Sequence, residues 1–487
     1  MFSAPRSLLP FVVAIAALSA CNPAPAPKPK ASATATALLS PTQEERQAVE
    51  KQKQLDADFP LHGLVTGLQL KVHKEPDADS VTIGWLRIGS RIRLATELKK
   101  TPTCASGFYR IDGGGYACAG EGIEVADKPP ESSTAVAPPP RDAGLPYSYY
   151  FVKDEKTPEY HRLPSRDEQR AAEAFVARYL ELKAKDEKKA QRFLAGELAG
   201  EPKKPEYVRR FLERGFFVAG SGVEVRAQRK FVRTVRGSYV KQVQLDQRQE
   251  NPFHGVVLDD THKLPLAWAV RAAQSFIPRQ REDGGMRFLT DEGTKNIERL
   301  ALLPWLKREH VGDQLFHKLD DGHYLKAWYV AVAEPIARPK EIGKDQRWVH
   351  VNLDQQTLVA YQGDTPVYAT LVSSGLPGHD TPAGLFEIRT KYVSATMSDI
   401  GPDVSEDLRY SIEDVPWTQY FSGSVALHGA FWHGGFGLRH SHGCVNLAPL
   451  DAHWLFDHTL PELPDGWHGV TTDGSGWKGS KVWITEK

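Results

Sequence analysis

The chain has 487 residues, enough for several separately cored domains, and its 61 Lys and Arg balance 61 Asp and Glu. That balance removes the global positive field that a nucleic-acid binder uses, so no nucleic-acid partner is expected. Proline is abundant at 34 residues, and much of it falls in stretches that read as linkers.

The first residues read as a targeting segment. Arg6 supplies positive charge, and Leu8 to Leu18 is apolar apart from Pro10. The run is shorter than the ~20 residues a membrane-spanning helix needs and fits the apolar region of an export signal. Leu18-Ser19-Ala20-Cys21 follows, small residues before a cysteine, and resembles a bacterial lipoprotein box. The resemblance implies a signal peptide over 1–20, lipidation of Cys21 and a membrane partner through that anchor. An ordinary signal cleavage nearby would export the chain equally. The expected location is periplasmic, lipid-anchored to a bacterial membrane, with the outer membrane favoured. Residues 21–56 begin as a Pro/Ala-rich tether; about twenty extended residues reach roughly 60 Å. Gln43 to Asp56 reads as a short charged helix.

Four cysteines are present: Cys21, Cys104, Cys118 and Cys444. With Cys21 lipidated, Cys104 and Cys118 form a nearby pair in an oxidising compartment, where disulfides persist. Two free buried thiols are the alternative. Cys444 is left without a partner, which makes it the candidate reactive thiol.

Residues 60–126 alternate as short strands at Leu68–Val72, Val81–Leu86, Arg91–Leu94 and Phe108–Ile111, with Gly113-Gly114-Gly115 turning into Tyr116. The pattern resembles a bacterial SH3-like module, whose hairpin a Cys104–Cys118 bridge would staple. A linker at 127–144 carries Pro129-Pro130 and Pro138-Pro139-Pro140. Residues 145–260 read as a second SH3-like module interrupted by a helix. Ser165 and Glu168 form a capping-box pattern, and Ala172, Phe175, Val176, Tyr179 and Leu180 make one apolar face. The charge-rich Lys183–Lys189 stretch reads as a solvated face, with Gly196 or Gly200 ending the helix. The Arg233–Val240 hairpin resembles the end of an SH3-like module. Residues 261–343 are mixed, with strands at Leu266–Val270, strand or short helix at Leu300–Trp305 and His323–Val332, and no defined fold.

From Arg347 the alternation becomes regular. Trp348–Leu353, Thr357–Tyr361 and Pro366–Ser374 follow one another at hairpin spacing, a β-meander. Four histidines and one cysteine then fall within the seventeen residues from His428 to Cys444. A thiol attacks as thiolate and titrates near pH ~8.5 when free, so an adjacent imidazole would activate it. Clustered His and Cys also suit zinc, and a structural loop whose histidines cap strands is a third reading.

The order of the residues favours the thiol. Ser441-His442-Gly443-Cys444-Val445-Asn446, with His428 upstream, resembles the signature of the L,D-transpeptidase family of bacterial cell-wall enzymes. The twelve-residue gap from His428 to Ser441 is shorter than in some members. Thr381–Ile388, Lys391 and Thr396-Met397 extend the resemblance over about 347–458, within a catalytic domain expected at 347–487. It implies a mainly β chain with some α: a β-sandwich-like catalytic domain behind SH3-like barrel modules. It also implies Cys444 as nucleophile and His428 as base, with its imidazole held by the Gly429 carbonyl. Backbone N–H groups of Gly443 and Cys444 are the candidate oxyanion donors, with His442 shaping the turn and Ser441 a further candidate catalytic residue.

Asn446, Arg439, Met397 and Tyr420 are the candidate substrate contacts, Asn446 doubling as a brace for the loop and Arg439 as a surface ion pair. His433 and His440 read as surface loop residues. Tyr410, Trp417, Phe431 and Trp432 read as core or cleft lining. The implied partner is the peptidoglycan stem peptide, cut before its terminal D-alanine and joined to an amine of another stem, with no cofactor and no metal. Water, a protein amine or a D-amino acid is the alternative acceptor. A non-catalytic wall-binding lipoprotein and a zinc amidase are the rivals of other classes.

Overall fold

Alternation of apolar and polar residues folds most of this chain into antiparallel strands, and the fold is mostly β. The computed structural model describes residues 43–130, 143–290, 292–401 and 409–486. The signal segment, Cys21, the Pro/Ala-rich part of the tether and residues 131–142 of the second linker lie outside them. Residues Gln43–Asp58 form a helix, and Arg93 pairs with its Asp56 at 2.9 Å. Among the described residues no helix is long and apolar enough to cross a membrane.

Three units of one plan precede the last domain. In the first, strand Leu61–Val65 lies between Arg91–Thr101 and Ile123–Ala126, and Gln69–His73 pairs with Thr82–Arg87. In the second, Ser148–Val152 lies between Phe217–Arg226 and Leu245–Gln247. In the third, Leu266–Ala269 lies between Leu302–Leu303 and Val330–Ala333. The segment 261–343, without a defined fold by pattern, is therefore a third copy. Its expected short helix is a single 3-10 turn at Ala327–Tyr329.

The copies share a sequence signature, Phe-x-(Arg/Lys)-x-x-x-Gly-x-Tyr, at Phe108–Tyr116, Phe231–Tyr239 and Phe316–Tyr324. Its glycine takes φ of +102°, +77° and +86° at Gly114, Gly237 and Gly322, a conformation a side chain would strain. Its tyrosine opposes an aromatic ring on the second strand: His73, Tyr160 or Phe276. That ring meets the signature phenylalanine edge-on at 5.9, 6.2 and 6.0 Å. Cys104 and Cys118 are bonded to each other in the first copy.

The second copy carries two helices between its second and third strands, where one was expected. Ser165 caps Arg166–Lys183 in a full capping box with Glu168. The charged run breaks there because the Asp186 side chain accepts the Lys189 N–H and starts Glu187–Leu194. Gly196, at φ +73°, follows the second helix.

The last domain is a two-sheet sandwich. One sheet has the order Val256–Val257, Thr365–Leu371, Thr357–Gln362, Arg347–Asn352, Lys481–Thr485, Gly384–Glu387. The other runs Gly469–Thr471, Thr390–Asp399, Tyr410–Ser422, Val425–Gly429, Val445–Leu447. Val349, Val351, Leu358, Trp417, Leu427 and Val445 fill the space between them, and helix Pro449–His458 closes one end through Leu455 and Phe456. Lys391 is buried beneath that helix and donates to the Phe456 and Thr459 carbonyls at 2.6 and 2.8 Å.

Buried charge seats the first two copies on this sandwich. Strand Tyr410–Ser422 sets two residues, Glu413 and Asp414, against the single Thr396 of its neighbour, and Asp414 takes φ +56° at this bulge. Both carboxylates then reach the same side. Asp414 accepts from Arg87 of the first copy, Glu413 from Arg210 of the second, and Arg236 lies 3.7 Å from Asp414 and 4.0 Å from Glu413. Burial works to raise the Asp414 carboxyl, but Arg87 and Arg236 overcome it and hold it below the usual range. Asp414→Ala should cost about 3–5 kcal/mol in urea unfolding, because it leaves Arg87 buried and unpaired. Arg87→Met/Asp414→Leu should recover part of that loss; a double variant no more stable than Asp414→Ala would count against the pairing.

Candidate active site

Two parallel strands bring the motif together. Leu427 pairs with Val445, His428 with Asn446 and Gly429 with Leu447. Paired residues face one way and alternate residues share a face, so Cys444, one step ahead of the register, lies on the same face as His428 and Asn446. The chain between them returns as a loop that ends in the tight turn Ser441–Cys444. Gly443 makes the turn at φ +112°. Ser441 Oγ accepts the Gly443 N–H at 3.2 Å and donates to the Cys444 carbonyl. Outside the turn, Thr381 Oγ1 donates to the Gly443 carbonyl at 2.8 Å, and Ser374 O receives the His440 and Ser441 N–H groups. The Gly443 N–H is therefore committed to Ser441, against its expected part in an oxyanion site. Of the two expected donors, that leaves the Cys444 N–H.

His428 is 2% exposed, and its Nδ1 lies 3.2 Å from the Gly429 carbonyl. A carbonyl only accepts, so Nδ1 carries the proton and Nε2 keeps its lone pair. Burial pushes the imidazole down to about 4. Cys444 is half-buried, its sulfur 3.8 Å from the Ser424 carbonyl. Desolvation pushes its thiol up, and the Ala426 N–H offsets this only in part. Burial therefore favours the neutral thiol and the neutral imidazole over the thiolate and imidazolium that residue types suggest. Desolvation penalises both charged forms.

Around this pair the structure sorts the other candidates. Tyr420 is buried enough that its phenol is pushed up to about 12, with the Cys444 sulfur adding to the shift; Tyr410 is raised in the same way. Both therefore neighbour the thiol. His442 is exposed and stands between His379 and Tyr410, with ring centroids at 4.6 and 5.7 Å. Arg439 reaches Asp380 and the Gly375 carbonyl, each at 3.4 Å, a surface ion pair. Met397 packs in the cluster of Tyr149, Ile412 and Phe431 that joins the second copy to the sandwich. Phe431 stacks on Tyr149 at 3.9 Å, and Trp417 is buried with its indole N–H on the Gly144 carbonyl. Trp432 lies over His428 at 5.7 Å.

His433 corrects the surface reading. It is half-buried, accepts the Gly435 N–H at 2.9 Å and lies 2.9 Å from the Asn446 side chain. Asn446 accordingly braces the loop through the His433 side chain. His440 is exposed, as expected, and meets the His433 ring edge at 4.1 Å. Among the described residues no three His, Cys, Asp or Glu side chains converge as a metal site.

Two contributors carry no local signal. Arg299, in the third copy, donates to the Val270, Gly434 and Phe436 carbonyls at 3.0, 2.5 and 2.7 Å and so shapes the loop that bears His433. Asp451 is buried and receives the Gly255 N–H and the Tyr368 hydroxyl, both at 2.7 Å, tying the segment between the second and third copies to the sandwich. Neither belongs to a motif. The repeat signature could have exposed the third copy, but not the contact of Arg299.

Comparison with known proteins places this geometry. Residues 346–484 match the YkuD family model, described as the L,D-transpeptidase catalytic domain. No curated protein matches the chain. Among solved structures, the Ldtfm–avibactam carbamoyl enzyme is 21% identical over 32% of this chain and 55% of that one, with a TM-score of 0.24. An L,D-transpeptidase from Stackebrandtia nassauensis is 23% identical over 30% and 58%, at 0.21. The catalytic domain of an E. faecium L,D-transpeptidase is 23% identical over 29% and 98%, at 0.23. The chain spans little more than half the length of the first two. Residues 346–484 therefore form an L,D-transpeptidase catalytic domain of the YkuD family.

Proposed function

We propose that this chain is a peptidoglycan L,D-transpeptidase that works through a thioacyl-enzyme on Cys444. The observation that carries the reading is His428 Nδ1 on the Gly429 carbonyl, which leaves the Nε2 lone pair on the sheet face shared with Cys444. Nε2 takes the thiol proton as sulfur attacks the carbonyl carbon of the stem peptide's third residue. The C–N bond to D-alanine breaks, and the departing amine leaves with the proton His428 returns. A second stem's amine then attacks the thioester, loses its proton to His428 and frees the Cys444 thiol. The Cys444 N–H is the donor toward the developing oxyanion.

Export, a lipid anchor on Cys21 and a periplasmic site on the outer membrane complete the proposal, supported by the sequence of 1–21. The first two repeats, whose pattern resembles SH3-like modules, serve in it to brace the enzyme or grip wall polymer.

Intact-protein mass spectrometry of the full chain with purified tetrapeptide stem tests the chemistry. Wild type should gain one acyl group and release D-alanine, while Cys444→Ala should do neither. An adduct on Cys444→Ala, or none on folded, reduced wild type, would sink the proposal. Acyl transfer on a second stem marks cross-linking, whereas plain release of the acid marks hydrolysis.

The pH profile of acylation gives a second test. His428 acts as base only when neutral, and burial puts its titration at about 4. Acylation should therefore stay level as pH falls through the ordinary histidine value of 6.5 and decline only near 4. Alkylation of Cys444 by iodoacetamide needs thiolate and should keep rising with pH beyond ~8.5. An acid limb at the ordinary histidine value, or a thiolate plateau reached in mild acid, would restore the ion-pair description.

A further inference from the structure

Acyl transfer to Cys444 builds negative charge on the attacked carbonyl oxygen, and such charge is met by several convergent donors. Here the Gly443 N–H is held by Ser441, which leaves the Cys444 N–H alone. A second donor has to come from a side chain within reach of the sulfur.

Sheet register brings one there. Tyr420 pairs with Ala426, while Phe421 and Leu427 lie in the sandwich core, so Tyr420 and Ala426 point to the opposite face, the one that carries His428. Leu427 pairs with Val445, and one step earlier in both strands Cys444 comes beside Ala426. The Ala426 N–H donates to the Cys444 sulfur. Tyr420 and Cys444 thus flank one alanine on one face, with only a methyl between them. Opposed Cα atoms of adjacent strands stand about 4.5–5.5 Å apart, so a phenol is long enough to pass over that methyl toward the sulfur.

The Tyr420 ring is backed from the first repeat. Trp85 and Tyr392 stand on either side of Gly469, and their rings meet at 4.9 Å. A Cβ on Gly469 would come within 2.4 Å of the Tyr392 ring, so glycine is what leaves room for it. Tyr392 in turn meets the Tyr420 ring edge-on at 6.4 Å. Tyr420 is half-buried, and among the described residues its hydroxyl has no hydrogen-bond partner. Burial pushes the phenol up to about 12, with Cys444 adding to the rise, so it keeps its proton and acts as a donor.

We propose that Tyr420 is a catalytic residue: its hydroxyl donates to the oxygen of the tetrahedral intermediate and, with the Cys444 N–H, completes the oxyanion site. The inference rests on the thioacyl reading above and gives Tyr420 a defined step in it. As sulfur bonds to the carbonyl carbon, the C=O electron pair moves to oxygen and the thiol proton goes to His428 Nε2. The Tyr420 proton stays on its own oxygen throughout; only its hydrogen bond strengthens.

Two reactions of the full chain test it: acylation by tetrapeptide stem, and alkylation of Cys444 by iodoacetamide, which displaces iodide at a saturated carbon and forms no oxyanion. Tyr420→Phe should slow acylation about 100-fold, the usual loss for one oxyanion donor, with little change in alkylation. A stem peptide with sulfur in place of the scissile carbonyl oxygen supplies the second arm, because sulfur is a weak acceptor. That replacement should slow wild type more than Tyr420→Phe, since the variant has already lost the bond. Equal acylation by variant and wild type, equal sulfur effects in both, or alkylation falling in step with acylation would each overturn the proposal. Wild type that alkylates but never acylates would sink the thioacyl reading and the role of Tyr420 with it. Wild type that acylates beside an equally fast Tyr420→Phe would sink the role of Tyr420 alone.

Discussion

Two adjacent carboxylates, Glu413 and Asp414, sit almost wholly buried in the strand that pairs with the one bearing His428. Buried charge is tolerated only when paired, and here the partners come from elsewhere in the chain: Arg87 from the first repeat, Arg210 and Arg236 from the second. The pairing works because a bulge and a left-handed Asp414 set both acids on one side of the strand. Ser394 and Tyr149 complete the set, Ser394 Oγ on the Asp414 carboxylate and the Tyr149 hydroxyl on its backbone carbonyl.

The repeats are also continuous with the sandwich through backbone bonds. Thr82–Arg87 pairs with Gly469–Thr471, and Phe217 meets Ile412. The third repeat uses the opposite sheet, where Trp268, Val270 and Ala331 pack on Trp348, Tyr361 and Phe436. Its Arg299 then reaches the loop between the two motif strands. Strand Tyr410–Ser422 is thus held by the first two repeats, and that loop by the second through Phe431 and by the third through Arg299. The repeats shape the ground on which the motif stands.

Enclosure decides the electrostatics of the site. Residue types alone favour a charged thiolate and imidazolium, but desolvation lowers His428 and raises Cys444, favouring the neutral form of each. In the proposed reaction, neutral groups place the proton transfer within the attack itself. His433 follows the same rule. Its burial keeps it neutral, and its backbone donor decides which nitrogen holds the proton.

Much of this was legible in the chain itself. Alternation marked the strands of the meander, Ser165 and Glu168 marked a helix start, and Ser441–Asn446 with His428 marked the site, because each is a local pattern with a local cause. Gly443 had to be glycine for its turn, and the spacing of Cys104 and Cys118 suited a bridge that the fold contains. The third repeat was also written there, in Phe316, Gly322 and Tyr324, but only comparison with two other stretches reveals it. What only the tertiary structure decided are the meetings of distant residues: Arg87 with Asp414, Arg299 with Gly434, and His433 with Asn446 across the return of a loop. The same holds for the charge state of Cys444 and His428. Sequence names the groups and their spacing along the chain; burial and pairing depend on what folds over them, and that is a property of the whole chain.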